Sequence, residues 1–202
     1  LVYRDFASRT EHRTYRAGPV LELSAQSTSG IPRLREAALG PMRTLVDTLD
    51  ETANLSIRTG TAVRFLASVE CDQVLRVGSR EGMVFPAHQV TGGLVMLATL
   101  NTEQIDALYA EEKFAGRLEE RPDLARLHDD LRSVRRTGVA FNLERSERGL
   151  VAVGRGIVDK VGVTIAAVSV CRCTRTASVS RPLSSTQALN GDIDGPVCRI
   201  RL

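Results

Sequence analysis

The side chains whose ordinary pKa best suits acid–base or nucleophilic chemistry near neutral pH are few in this 202-residue chain: three histidines, His12, His88 and His128, and four cysteines, Cys71, Cys171, Cys173 and Cys198. A nucleophile needs a base within hydrogen-bond reach and a third group to orient that base. His12 sits in a basic segment with Arg4, Arg9, Arg13 and Arg16. His128 lies beside Asp129 and Asp130 on a charged helical face and is expected in solvent. His88 precedes Thr91-Gly92-Gly93, and no partner for it can be named from the sequence. Gly-x-Ser-x-Gly and phosphate-loop motifs are absent, and Gly154-Arg155-Gly156 is too short a match to a dinucleotide fingerprint. Cys171 and Cys173 form a Cys-x-Cys pair with no histidine nearby, which is not a zinc spacing. The cysteines therefore read as free thiols of a reducing cytosol. No catalytic constellation, metal site or cofactor is expected.

One feature favours capture of a ligand. Thr91-Gly92-Gly93 opens an apolar run, so it should start a helix. The first N–H groups of a helix have no intrahelical partner, and small residues let an anion approach them. A carboxylate could be held there. Equally, the glycines could serve only to bring the helix close to a sheet.

The elements that would position these residues are legible in the periodicity. With 43% hydrophobic and 25% charged residues the chain can bury a core, and a net charge of +3 is too small to identify a nucleic-acid partner. No stretch has the length and apolarity of a membrane helix. Residues 1–18 read as a hairpin, with LVYRD and RTYRAG as strands and FASRTEH as the tip, and residues 19–30 as a linker helix. Leu34, Ala38, Met42, Leu45 and Leu49 then follow one helical face, with Gly40-Pro41 expected to kink it. NLSIRT and TAVRFLASVE, joined at Gly60, form a strand pair. After an irregular stretch, 74–88, come a helix over QVTGGLVMLATL, a short helix capped by Asn101 with Gln104, and a helix whose stripe is Leu124, Leu127, Leu131 and Val134, ended by Gly138. Three strand candidates close the order: VAFNLE, LVAVGRGIVD and VTIAAVSVC. This is an α+β pattern, an antiparallel sheet flanked by helices. Residues 172–202 are rich in Arg, Ser and Thr and read as a divergent tail.

The run RVGSREGMVFPAHQVTGGLVMLATL, through Arg76, Gly78, Pro86, His88, Gly93, Leu97 and Ala98, resembles the central signature of IclR-type transcriptional regulators. RTGVAFNLERSERGL and VTIAAVSV resemble the family's later strands, and RTYRAGPVLEL its wing and linker. The resemblance implies a GAF/PAS-like effector-binding domain over residues 31–171, preceded by the remnant of a winged helix-turn-helix in residues 1–18. It further implies a cytoplasmic regulator acting as a homodimer or homotetramer, with DNA contacted through a winged helix-turn-helix mostly missing from this chain. Arg9, His12 and Arg13 would be wing residues near phosphates.

Carried over by position, the family's effector pocket falls on the backbone of Thr91 and Gly92, on Asn142, Ala152, Ser169 and Cys171. Val77 to Phe85 would form the loop over its mouth, with Met83 and Phe85 as apolar wall. Three departures bear on the ligand: Asn142 is neutral where the family has an acid, Ala152 is apolar, and Cys171 replaces a hydroxyl. A more apolar organic acid or an aromatic effector is therefore expected. The competing expectations are an oligomerisation module with an occluded pocket and, more remotely, an enzyme using His88 or Cys171.

Overall fold

The computed structural model describes residues 30–174 in full and, before them, the backbone of two short strands. Those strands, β1 (Ala7–Arg9) and β2 (Tyr15–Ala17), pair antiparallel with Arg9 opposite Tyr15. The first strand thus falls on residues expected at the tip of the hairpin. His12 and Arg13 lie outside the described residues, as does the tail beyond residue 174.

Helix α1 (Gly30–Leu49) runs unbroken through Gly40-Pro41. Its buried stripe is Leu34, Ala38, Met42 and Val46. That four-residue spacing keeps one face on the sheet through the proline, so tertiary packing overrides the missing backbone donor. Five strands follow the expected order and a sixth comes from the irregular stretch: β3 (Thr52–Thr59), β4 (Ala62–Val69), β5 (Val84–Pro86), β6 (Val139–Leu143), β7 (Leu150–Val158) and β8 (Thr164–Cys173). They form one sheet in the order β5-β4-β3-β8-β7-β6, every pair antiparallel. The β3–β4 turn is tight, with Gly60 at φ 56° where a side chain would be strained.

Between β5 and β6 lie α2 (Thr91–Leu97), α3 (Thr102–Leu108) and α4 (Leu124–Thr137). The capping box at α3 forms as its sequence requires: Gln104 N–H donates to Asn101 Oδ1 at 2.8 Å, and Asn101 N–H to Gln104 Oε1 at 2.9 Å. Asp123 caps α4, and Gly138 at φ 72° ends it.

Side chains alternate across the sheet and so divide the core in two. Ala53, Leu55, Ile57, Val153, Ala166 and Val170 face one way, with the α1 stripe packed on them. On the other face Val63, Phe65, Ala140 and Ala167 meet α2, α3 and α4 through Leu94, Leu97, Ile105, Leu127 and Leu131. A third, small cluster stands apart: Leu150, Ala152 and Cys171, with Val77 packed against them.

Candidate functional site

Strand register gathers the site. Thr52 pairs with Cys171, Asn54 with Ser169, and Ser56 with Ala167. On the far side of β8, Ala152 pairs with Cys171 and Gly154 with Ser169. Asn142 pairs with Ala152. Residues opposite one another share a face, so Thr52, Asn54, Ser169, Cys171, Ala152 and Asn142 form one contiguous patch. All six are buried. The strand β3 is buried on both faces, although its sequence alternates Thr52, Asn54 and Ser56 with Ala53, Leu55 and Ile57. Its polar face is covered rather than left to water.

Burying these groups costs free energy unless each finds a partner. A chain of hydrogen bonds supplies them. The Arg80 backbone N–H donates to Ser68 Oγ at 2.9 Å, and Ser68 Oγ–H donates to Asn54 Oδ1 at 2.5 Å. The Asn54 amide then donates to Cys171 Sγ at 3.4 Å. Thr52 Oγ–H donates to Val77 carbonyl oxygen at 2.8 Å. These bonds pin residues 77–80 onto the patch, so the stretch over its mouth is a covering loop. Val77, rather than the half-exposed Met83, is its apolar contact with Ala152 and Cys171. Phe85 points inward and meets Phe65 edge-on at 5.7 Å.

Arg80 is buried, at 7% exposure. Its guanidinium lies 4.9 Å from the Phe85 ring centroid and pairs with Glu147 at 2.9 Å. Burial pushes the Cys171 thiol up from its ordinary pKa; the positive charge of Arg80 and hydrogen bonds from Asn54 and Ser169 pull the other way. Cys171 is therefore a neutral thiol, unsuited to nucleophilic attack.

The start of α2 reaches this patch through Thr91, which sits over Gly154: a Cβ there would lie 2.8 Å from Thr91 Oγ. Val90 precedes the helix and gives its first turn no side-chain cap. Gly92 and Gly93 have a packing duty. A Cβ on Gly92 would overlap Ser56 Oγ, and one on Gly93 would overlap the Ala87 carbonyl. Asn142 also has structural work: its amide donates to Gln89 carbonyl oxygen at 3.1 Å and Ser146 Oγ at 2.8 Å, and its oxygen accepts from Arg145 N–H at 2.7 Å.

The other sequence candidates lie elsewhere. His88 stacks edge-on against Tyr109, 5.9 Å between centroids, and burial pushes its pKa down from 6.5 to about 4. Both line a separate groove of about 530 Å³ with Phe114 and Lys113. His128 is not in open water but bonded to Asp106 at 2.7 Å. Among the described residues no cluster of His, Cys, Asp or Glu could hold a metal ion, and no helix is long and apolar enough to cross a membrane. Arg9 contributes backbone to β1.

Sequence reasoning missed Thr52, Asn54, Ser68, Arg80 and Glu147. The available signal was the Thr-x-Asn-x-Ser alternation, but reading the strand from Asn54 cut it short.

The family profile described as bacterial transcriptional regulator IclR C-terminal matches residues 27–189. The chain belongs to this family. It is 33% identical over 165 residues to the HTH-type transcriptional regulator Rv1719 of Mycobacterium tuberculosis, covering 81% of this chain and 62% of that protein. It is 29% identical over 136 residues to the HTH-type transcriptional repressor AllR of Escherichia coli K12, covering 65% of this chain and 49% of AllR. The chain thus spans about three fifths of the first relative's length and about half of the second's. The fold matches the Thermotoga maritima IclR structure with a TM-score of 0.66 at 20% identity, over 98% of this chain and 79% of that one. It matches the Agobacterium tumefaciens repressor BlcR with 0.64 at 19% identity, over 97% and 78%. These relatives are transcriptional regulators, and the α+β domain of this chain is the IclR C-terminal domain.

Proposed function

We propose that this domain is the ligand-sensing part of a DNA-binding transcriptional regulator, and that its effector is a small organic acid or aromatic compound bound on the Thr52–Asn54–Ser169–Cys171 patch. The observation that carries this reading is the buried polar face of β3 and β8 beneath a short covering loop. A fold needing only stability would fill that position with apolar side chains, as it does on the opposite face of the same strands. A few placed polar groups among apolar walls is the usual make-up of a small-molecule site. Leu150, Ala152 and Val77 supply the apolar wall; Ser169 and Cys171 supply the polar floor.

Entry of a ligand moves the 77–85 loop away from the patch, breaking the Thr52–Val77 bond. The effector then shifts the population between loop arrangements, and the DNA-binding heads of a homodimer or homotetramer are respaced. In this reading residues 1–18 belong to a wing and 19–30 to a linker, and residues 31–171 make up most of the sensor, whose last strand runs on to Cys173 before the tail, within a cytoplasmic protein.

A thermal-shift screen of small organic acids and aromatic catabolites tests the reading. A true effector raises the midpoint in proportion to ln(1 + [L]/Kd). If no compound at millimolar concentration raises it, ligand sensing loses its support and an oligomerisation module becomes the better account.

A further inference from the structure

Among the described residues, Arg80 is the cation whose charge is felt at Cys171 on the floor of the patch. Thr52, Asn54, Ser169 and Cys171 carry no charge, and Asn142 stands at the edge of the patch as a neutral amide. The Arg80 side chain is more than nine-tenths buried, whereas its ion-pair partner Glu147 is half exposed. Glu147 belongs to the 144–149 segment joining β6 to β7, and Arg80 to the loop that covers the patch. Their contact uses one terminal nitrogen, Nη2. A guanidinium carries five N–H donors in a planar fork suited to two-point contact with a carboxylate.

We propose that Arg80 receives the carboxylate of the effector, and that Glu147 fills the anion position when no effector is bound. This rests on the ligand-sensing reading above and names the chemistry of its ligand: a monocarboxylate with a compact apolar body. The exchange is balanced in charge. A buried guanidinium left without an anion is costly, so an uncharged ligand that displaced Glu147 would strand it. A carboxylate ligand replaces one anion by another, and Glu147, already half in water, loses little on release. Phe85 fixes the guanidinium plane from below, so the fork stays in place when its partner changes. The apolar body of the ligand then lies against Val77, Leu150 and Ala152. Binding also unties the 77–85 loop from the 144–149 segment. Other charges nearby have their own partners: Arg145 pairs with Asp130, and Glu81 with Arg35.

The test uses the full chain with benzoate and benzamide, which share a body and differ in charge, measured by calorimetry on the wild type, Glu147→Gln and Arg80→Gln. Glu147→Gln removes the competing anion and should bind benzoate about tenfold more tightly than the wild type. Arg80→Gln should bind it at least about tenfold more weakly. Benzamide affinity should not follow this pattern. Should Arg80→Gln fail to fold, the Glu147→Gln comparison decides alone, because its changed side chain is half exposed. Benzamide binding as well as benzoate in all three proteins would overturn the role of Arg80 and leave the sensing patch standing. Binding of neither compound to any of the three would overturn both.

Discussion

Two ends of one sheet face have opposite chemistry. At the helix end, Gly92 and Gly93 lie against Ser56, Ala167 and the Ala87 carbonyl with no room for a methyl group, and Gly156 is held less closely by the side chains of Val95 and Thr164. At the loop end, only a few residues further along β3 and β8, the strands present Thr52, Asn54, Ser169 and Cys171, roofed by a loop held through hydrogen bonds from Thr52 to the Val77 carbonyl and from the Arg80 N–H to Ser68. The first end is closed by direct contact, with a backbone carbonyl at Gly93 and with side chains at Gly92 and Gly156. The second is closed by polar side-chain contacts that a ligand can exchange for its own. The glycines therefore hold the helix in place, and the adjustable chemistry lies on the strands and the loop.

The contrast breaks most sharply at Gly93. A Gly93→Ala methyl overlaps a backbone carbonyl that cannot turn away, so urea unfolding should show a loss of about 3 kcal/mol or more. Gly92→Ala meets the Ser56 hydroxyl, which can rotate, and should cost about 1–2 kcal/mol. A cost below about 0.5 kcal/mol at Gly93 would show that the helix end is not tightly closed.

Asn54→Ala takes a donor and an acceptor from the loop end, leaving Ser68 and Cys171 without it. The same unfolding assay should register about 1–3 kcal/mol. An unchanged midpoint would mean that the hydrogen-bond chain under the loop contributes nothing.

His88 gives a pH-dependent comparison. Its pKa falls from 6.5 to about 4 on burial, with the Arg145 charge acting in the same direction. The unfolded chain therefore takes up the proton first. The contribution of neutral His88 is present above about pH 6.5 and is lost as pH falls through the window from 6.5 to 4. Urea midpoints across that window should fall less in His88→Phe than in the wild type; parallel curves would contradict it.

Ser169→Ala is the smallest expected change in stability, within about 1 kcal/mol, because Cys171 keeps its hydrogen bond from Asn54. Its effect should appear in effector affinity instead.

What the sequence disclosed was local. The Asn101–Gln104 box, the Leu127–Leu131–Val134 stripe and the Gly138 stop depend on neighbours within one or two turns, and each formed where its spacing required. The family resemblance pointed to Ser169, Cys171, Ala152 and Asn142, which strand register brings to one patch, and to Thr91, which reaches that patch from α2 over Gly154. Asn54 escaped because its meeting with Cys171 joins residues 117 positions apart, and no local pattern encodes that register. Arg80 escaped because a charged residue in an irregular stretch reads as solvated; only the fold puts it over Phe85. For Gly92 the sequence left packing and anion binding equally open, and the geometry gives it a packing role that a substitution would disrupt.

The most direct measurement of the central claim is hydrogen exchange of the full chain with and without a carboxylate that raises its midpoint. The account predicts a changed exchange rate at residues 77–85 and 144–149, with the groove at Tyr109 and Phe114 unaffected. Protection confined to that groove, or no change at either loop, would contradict it.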